Sequence, residues 1–217
     1  YVQNYKPGLT YRTLEQYPGN RASQVIWVPL LNFDRFLDDP ELSQHIVNLD
    51  EYYEDLANGT LPAVAFIAPS GPSEHPPSSL QSGQRFVKTL IQRLMQSRYW
   101  NNTAFLWAYD DWGGWYDHVP PPQVDDYGFG FRVPALLVSA YARHNYIDST
   151  LLDYTSVLKF IEDNWGVPPL AERDANANSI SNAFDFSQPP RQPVILPYER
   201  AGDAIRPAPR RTVIVAF

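Results

Sequence analysis

The sequence predicts an α/β fold with a largely parallel sheet covered by helices. Three observations carry that expectation. Apolar runs of strand length recur at Leu61–Ala68 (LPAVAFIA), Thr103–Tyr109 and Val133–Ser139, each bounded by polar or Pro-containing segments. Amphipathic segments follow them, at Leu80–Ser97, where Phe86, Leu90, Ile91 and Leu94 fall at helical spacing, and at Thr155–Asn164. A chain of 217 residues that is 44% hydrophobic and 14% aromatic has ample material for a core.

Residues 1–60 read as an irregular and partly helical arm. A short strand is expected over Val25–Leu30. Asp38-Asp39-Pro40-Glu41 has the form of a helix start, an aspartate cap followed by proline in the first turn, and predicts a helix, or one turn of it, through Leu42 and Ile46. Leu49–Ala57 predicts a second short helix that ends at Asn58-Gly59. Residues 61–166 form the expected α/β core. From Val167 onward a segment rich in Pro, Ala, Asn and Asp reads as a surface wrapping loop, pinned by Phe184 and Phe186, and Thr212–Phe217 as an edge strand or packed arm. The whole is expected to be one domain over 1–217. The 21 prolines cluster between apolar runs, which suits ordered loops.

A formal net charge of -7 and a pI near 5.0 argue against nucleic acid as a partner, since the phosphate backbone demands a basic face. The absence of cysteine removes disulfides, thiolate metal sites and cysteine nucleophiles. No segment has the length of a transmembrane helix. A chain that begins at Tyr1 without an initiator methionine is expected to be processed or a fragment.

The chemistry concentrates in Trp107–Pro122, WAYDDWGGWYDHVPPP. Asp110 and Asp111 follow an apolar strand, and because neighbouring strand residues point to opposite faces, they converge only if the backbone turns after them. Gly113-Gly114 permits such a turn. Adjacent carboxylates repel, and a divalent cation is one way to keep both ionised. The competing reading is an Asp that caps the following turn beside an Asp in solvent. His75, in the loop PSGPSEHPPSS after the first apolar run, would reach the same sheet edge if the strands are parallel. There it is a candidate metal ligand, or a catalytic donor to a phosphate oxygen or leaving group, the competing reading being a loop histidine bonded to a backbone carbonyl. His118 and Asp117 read as a rigid loop anchor, with His118 also a candidate for supporting Asp111 or for touching substrate. Arg132 is placed to make a salt bridge to the acidic loop. Trp107, Trp112, Trp115 and Tyr116 are expected to pack in the core or loop. His45 and His144 read as solvated. There is no G-x-S-x-G elbow, phosphate-binding glycine loop or H-E-x-x-H helix.

YDDWGGWYDHVPPP, GFGFRVPALLVSAYA, SVLKFIEDNWGVPPL, RDANA and AFDF together resemble the phosphoesterase family, which includes bacterial and plant non-specific phospholipases C and related acid phosphatases. The resemblance runs from about Pro62 to Pro190 and takes in LPAVAFIAPSGPSEHPPSS with its following helix. It implies an alkaline-phosphatase-like, mostly parallel α/β fold and hydrolysis of a phosphoester or phospholipid through a Ser/Thr phosphoenzyme. It also implies a divalent metal ion on Asp110 and Asp111, His75 at the phosphate, and a secreted or periplasmic location. The family's opening E-N-R-S-F-D-H motif and its nucleophile do not occur here, so the chain is expected to be a C-terminal portion, inactive without its N-terminal remainder. Ala140, where the family often has Pro, and Ser149, where many members carry His, depart from the pattern. Two alternatives stand beside this reading: a non-catalytic secreted binding module of the same fold, and a sulfatase- or phosphonate-type hydrolase of the same superfamily.

Overall fold

A computed structural model of the protein describes residues 1–6, 28–69, 74 and 79–197, with the backbone of 215–216. The chain divides into two units, Tyr1–Tyr99 and Trp100–Phe217.

The first unit is helical. Pro29–Asn32 forms a 3-10 turn where the end of a strand was expected, and the earlier part of that expectation, residues 25–27, lies outside the described residues. Helix α1 spans Asp34–Asp38 and α2 spans Pro40–Ser43. The predicted start of α2 forms as expected: Asp39 Oδ1 accepts from the Glu41 amide at 2.8 Å and the Leu42 amide at 3.4 Å, with Pro40 at the first helical position. Helix α3 spans Asp50–Asn58 and closes on Gly59, φ +83°. Helix α4 spans Leu80–Met95 and buries Leu90 and Leu94. The Tyr52 hydroxyl of α3 donates to the Leu90 carbonyl of α4 at 3.1 Å, tying the two together. A separate cluster joins Val2, Tyr5, Val28, Leu31 and Ile46.

The expected strand over Leu61–Ala68 does not form. Ala68 bridges Val2, with its amide donating to the Tyr1 carbonyl at 2.9 Å and its carbonyl accepting from Gln3 at 3.0 Å, and the Tyr1 amino group donates to the Phe66 carbonyl at 2.7 Å. Residues 62–66 are exposed, Phe66 by 70%. Apolarity suits a segment for burial, but a strand exists only where a second backbone supplies a ladder, and the first residues of the chain offer this segment isolated bonds at Phe66 and Ala68 rather than a continuous one.

The second unit holds the sheet. Strand β1, Ala104–Ala108, pairs with β2, Pro134–Ser139, and β2 pairs with β3, Val215–Ala216. Both pairings are antiparallel, in registers Leu106 opposite Leu137 and Ala135 opposite Val215. The expected mostly parallel arrangement is thus corrected for the described strands. The physical reason lies in the connection: residues 109–133 contain no helix to carry the chain across a sheet face, so β2 returns alongside β1. The tail does supply the expected edge strand. Helix α5, Thr155–Trp165, and the short α6, Glu172–Ala175, follow. Phe184 pins the wrapping segment, buried against Leu152 and Ile180 and stacked 5.3 Å from Phe160. Phe186 lies outside it, stacked on Phe184 but 68% exposed.

At the junction of α5 and α6 two carboxyl groups meet in a buried place. Asp174 is 2% exposed and accepts from the Leu170 and Ala171 amides at 2.7 and 2.8 Å. Burial works to raise its carboxyl, yet the Leu170 amide, the Glu162 side chain and the Ala171 amide together hold it below the ordinary value. Glu162 is pushed upward by burial first and then by its hydrogen bond to, and the charge of, Asp174, with Asp163 adding to the rise and Lys159 opposing it. Of the two, Glu162 is thus the one that holds a proton more readily, and Asp174 the one that keeps its charge.

Two outcomes are expected. Leu94, 1% exposed on α4, leaves a cavity when changed to Ala, and Leu94→Ala lowers the unfolding free energy by about 2–5 kcal/mol in denaturant titration. Because the folded-state pKa of Glu162 is raised, its stabilisation is complete below the unfolded carboxyl value and is lost as pH rises through the folded one. Thermal midpoints measured from pH 4 upward should therefore fall more for the parent than for Glu162→Gln, which keeps a donor toward Asp174. Parallel profiles would refute the shared proton.

Candidate functional site

The acidic loop begins where the β1 ladder ends. The Tyr109 amide still donates to the Pro134 carbonyl at 3.3 Å, and the next two residues, Asp110 and Asp111, bend away and are exposed. The turn that the Gly pair predicted is present: Gly113 and Gly114 take φ of +60° and +81°, and the Trp115 amide donates to the Trp112 carbonyl at 3.0 Å. Positive φ at both central positions is the pattern of a type I′ turn, which strains any residue with a Cβ. Asp111 Oδ1 accepts from the Gly113 amide at 2.6 Å, so the turn-capping role weighed from the sequence is real for this residue. Its other oxygen remains available as a ligand.

Three ties hold the loop in shape, one within it and two to the helices that follow β2. At its start, the Tyr154 hydroxyl at the head of α5 donates to the Tyr109 carbonyl. Burial first, and then the negative charges of Asp110 and Asp111, push the Tyr154 phenol up to about 12. In its middle, Arg132 forms a fork on Asp117, with Nε to Oδ2 at 2.7 Å and Nη2 to Oδ1 at 2.8 Å, while the Val119 amide adds a bond at 3.2 Å. The Arg132 guanidinium, with lesser help from Val119, holds the Asp117 carboxyl well below the usual carboxylate range. Toward its end, Arg173 of α6 binds Asp125 at 3.1 Å, Asp153 at 3.3 Å and the Gly128 carbonyl at 3.0 Å, and lies over the Phe129 ring at 4.8 Å.

The predicted residues divide accordingly. Asp110 and Asp111 sit together beyond β1. Asp117 and Arg132 form the expected salt bridge. His118 is exposed, with Nδ1 3.7 Å from Asp117 Oδ1, so its neighbour is Asp117 rather than Asp111. His75 lies outside the described residues. His144 meets the Arg191 guanidinium at 3.3 Å rather than solvent alone, and His45 is exposed. Of the aromatics expected to pack, Trp107 makes an edge contact with Tyr109 at 5.1 Å and Trp112 leans on Phe131 at 5.2 Å, but Trp115 and Tyr116 are 77% and 87% exposed. Tyr154 and Arg173 went unnoticed in the sequence. D-Y-T-S carries a visible helix-cap signal at Asp153, which accepts from the Thr155 amide at 2.8 Å, but nothing local links Tyr154 or Arg173 to the acidic loop.

Two adjacent carboxylates and no thiolate make a donor set suited to a hard, oxygen-seeking cation. Among the described residues no third His, Asp or Glu completes a cluster with them. Asp110 and Asp111 thus fit part of a coordination shell, of the roughly six positions such ions take. No helix among the described residues is long and apolar enough to cross a membrane.

With that geometry in place, comparison with known proteins adds the lineage. The chain is 28% identical to a non-hemolytic phospholipase C of Pseudomonas aeruginosa over 91% of this chain and 34% of that protein. It is 31% identical to phospholipase C B of Mycobacterium tuberculosis over 64% of this chain and 32% of that protein. Non-specific phospholipase C3 of Arabidopsis thaliana is 32% identical over 51% of this chain and 22% of that protein. The chain thus spans about a third or less of the length of these relatives. The model of the phosphoesterase family matches residues 11–168, a span that includes the whole acidic loop and both of its arginine-held or tyrosine-held ends up to α5, and the chain belongs to that family.

Proposed function

We propose that the protein hydrolyses phosphate esters in the manner of its phospholipase C relatives, with Asp110 and Asp111 holding a divalent ion at the site. The observation that carries this reading is the family match across a loop that holds two adjacent carboxylates immediately beyond a strand. When bound, the ion would stabilise charge on the phosphoryl oxygens. The chain's own part is to hold that position. The type I′ turn and the Asp117–Arg132 fork set the path of the loop, and His75 and His118 are the candidates for binding and protonating phosphate oxygens. In this reading the nucleophile is a serine or threonine outside these 217 residues and forms a phosphoenzyme, on an alkaline-phosphatase-like fold that the present segment only partly supplies. The relatives' names favour a phospholipid or related phosphodiester as substrate over a phosphomonoester, and a secreted or periplasmic location goes with this reading on the strength of the family resemblance alone.

One feature favours the non-catalytic alternative, a binding module: Trp115, Tyr116 and Tyr127 stand exposed along the same loop, Tyr127 by 93%. Elemental analysis separates the two readings. A site carries about one equivalent of divalent metal, whereas a module carries none.

In a protein that includes the nucleophile, hydrolysis of p-nitrophenyl phosphorylcholine is expected to fall at least about a hundredfold in Asp110→Asn, with an unchanged circular dichroism spectrum. Chelation is expected to abolish the activity reversibly, with recovery on re-addition of a divalent salt. Full activity in Asp110→Asn would remove the central claim.

A further inference from the structure

We propose that Tyr154 is a positioning residue for the acidic pair, fixing the peptide that links Tyr109 to Asp110 so that both carboxylates face one ion. The proposal rests on the metal reading of Asp110 and Asp111 and deepens it.

The geometry begins at the head of α5. Asp153 accepts from the Thr155 amide at 2.8 Å and the Ser156 amide at 3.2 Å, and its other oxygen meets Arg173 at 3.3 Å. The backbone that carries Tyr154 is therefore held from two sides. From there the phenol reaches the carbonyl of Tyr109, across 45 residues of sequence. That carbonyl belongs to the same peptide group as the Asp110 amide. On its other side Tyr109 is fixed by its amide's bond to Pro134 at 3.3 Å and by the edge contact of its ring with Trp107. With the hydroxyl in place, the peptide plane that launches Asp110 has one orientation. Without it, that peptide loses a tie on its carbonyl side, and the direction in which Asp110 leaves the ladder is less firmly set. An outer partner of this kind orients ligands without touching the ion, and its loss weakens binding while leaving the ligands in place.

Tyr154→Phe keeps the ring and removes the donor. Terbium(III) is a suitable probe, because its luminescence is sensitised by nearby indole and phenol rings such as Trp112 and Tyr109. Titration of the protein with terbium(III) is expected to show affinity weakened about tenfold to a hundredfold in Tyr154→Phe, at an unchanged unfolding midpoint. In a turnover assay the variant's deficit is expected to disappear at saturating divalent metal, with KM for substrate unaltered. Asp110→Asn and Asp111→Asn serve as references. If they abolish terbium(III) binding while Tyr154→Phe matches the parent, the positioning role is overturned and the metal reading stands. If they bind as the parent does, the metal reading fails and the proposal with it. Loss of affinity in Tyr154→Phe that is matched by a fall in the unfolding midpoint would also overturn the proposal, since the hydroxyl would then be holding the fold rather than the site.

Discussion

The antiparallel pairing of β1 with β2 is the constraint on which the rest of the second unit depends. It places Ala108 opposite Ala135 and so brings the two ends of residues 109–133 side by side. A long segment without regular structure is costly to order, even though closing its ends costs only slowly more as it lengthens. Its conformation must come from ties made along its length. Those ties are the Tyr154 hydroxyl at the first residue, the Arg132 fork on Asp117 and the Arg173 hub at Asp125 and Gly128. Each brings a residue from the far side of the loop, or from the helices after β2, back onto it. The site is therefore built by return contacts rather than by the strand that precedes it.

Charge explains why those particular residues are used. The loop carries Asp110, Asp111, Asp117, Asp125 and Asp126, a run of like charge that would expand if left uncompensated. Arg132 and Arg173 neutralise Asp117 and Asp125 at hydrogen-bond distance. Among the described residues, Asp110 and Asp111 enter no ion pair. Asp126 likewise has no cationic partner among the described residues, so compensation is confined to the two aspartates that the arginines grip. Arginine suits those two places because its planar fork meets both oxygens of Asp117 in one and a carboxylate and a carbonyl at once in the other.

The aromatic residues show the limit of composition as a guide. Trp and Tyr near an apolar strand are more often buried than not, and Trp107 and Trp112 do find partners. Trp115 follows the type I′ turn, however, and that turn throws it and Tyr116 outward. A similar point holds for Leu61–Ala68, whose hydrophobicity signals a strand but whose residues 62–66 stay exposed without a ladder. Hydrophobicity states what a segment can bury, whereas burial depends on what is brought against it.

Local rules made much of this protein legible in advance. Asp39-Pro40 and Asn58-Gly59 mark helix limits that the backbone obeys to within a residue or two, because caps act through amides two or three positions away. The apolar runs mark β1 and β2, and Gly113-Gly114 marks the turn behind the acidic pair, because positive φ is a property of single residues. Membership in the phosphoesterase family is likewise written in contiguous motifs. What only the tertiary structure decided is the direction of strand pairing, the exposure of Trp115 and Tyr116, and the reach of Tyr154 and Arg173 to the acidic loop. Those depend on groups tens of residues apart meeting in space. No short-range hydrogen bond or steric preference in the chain encodes such a meeting, and it is settled only when the loop from Tyr109 to Val133 is drawn closed between its two strands.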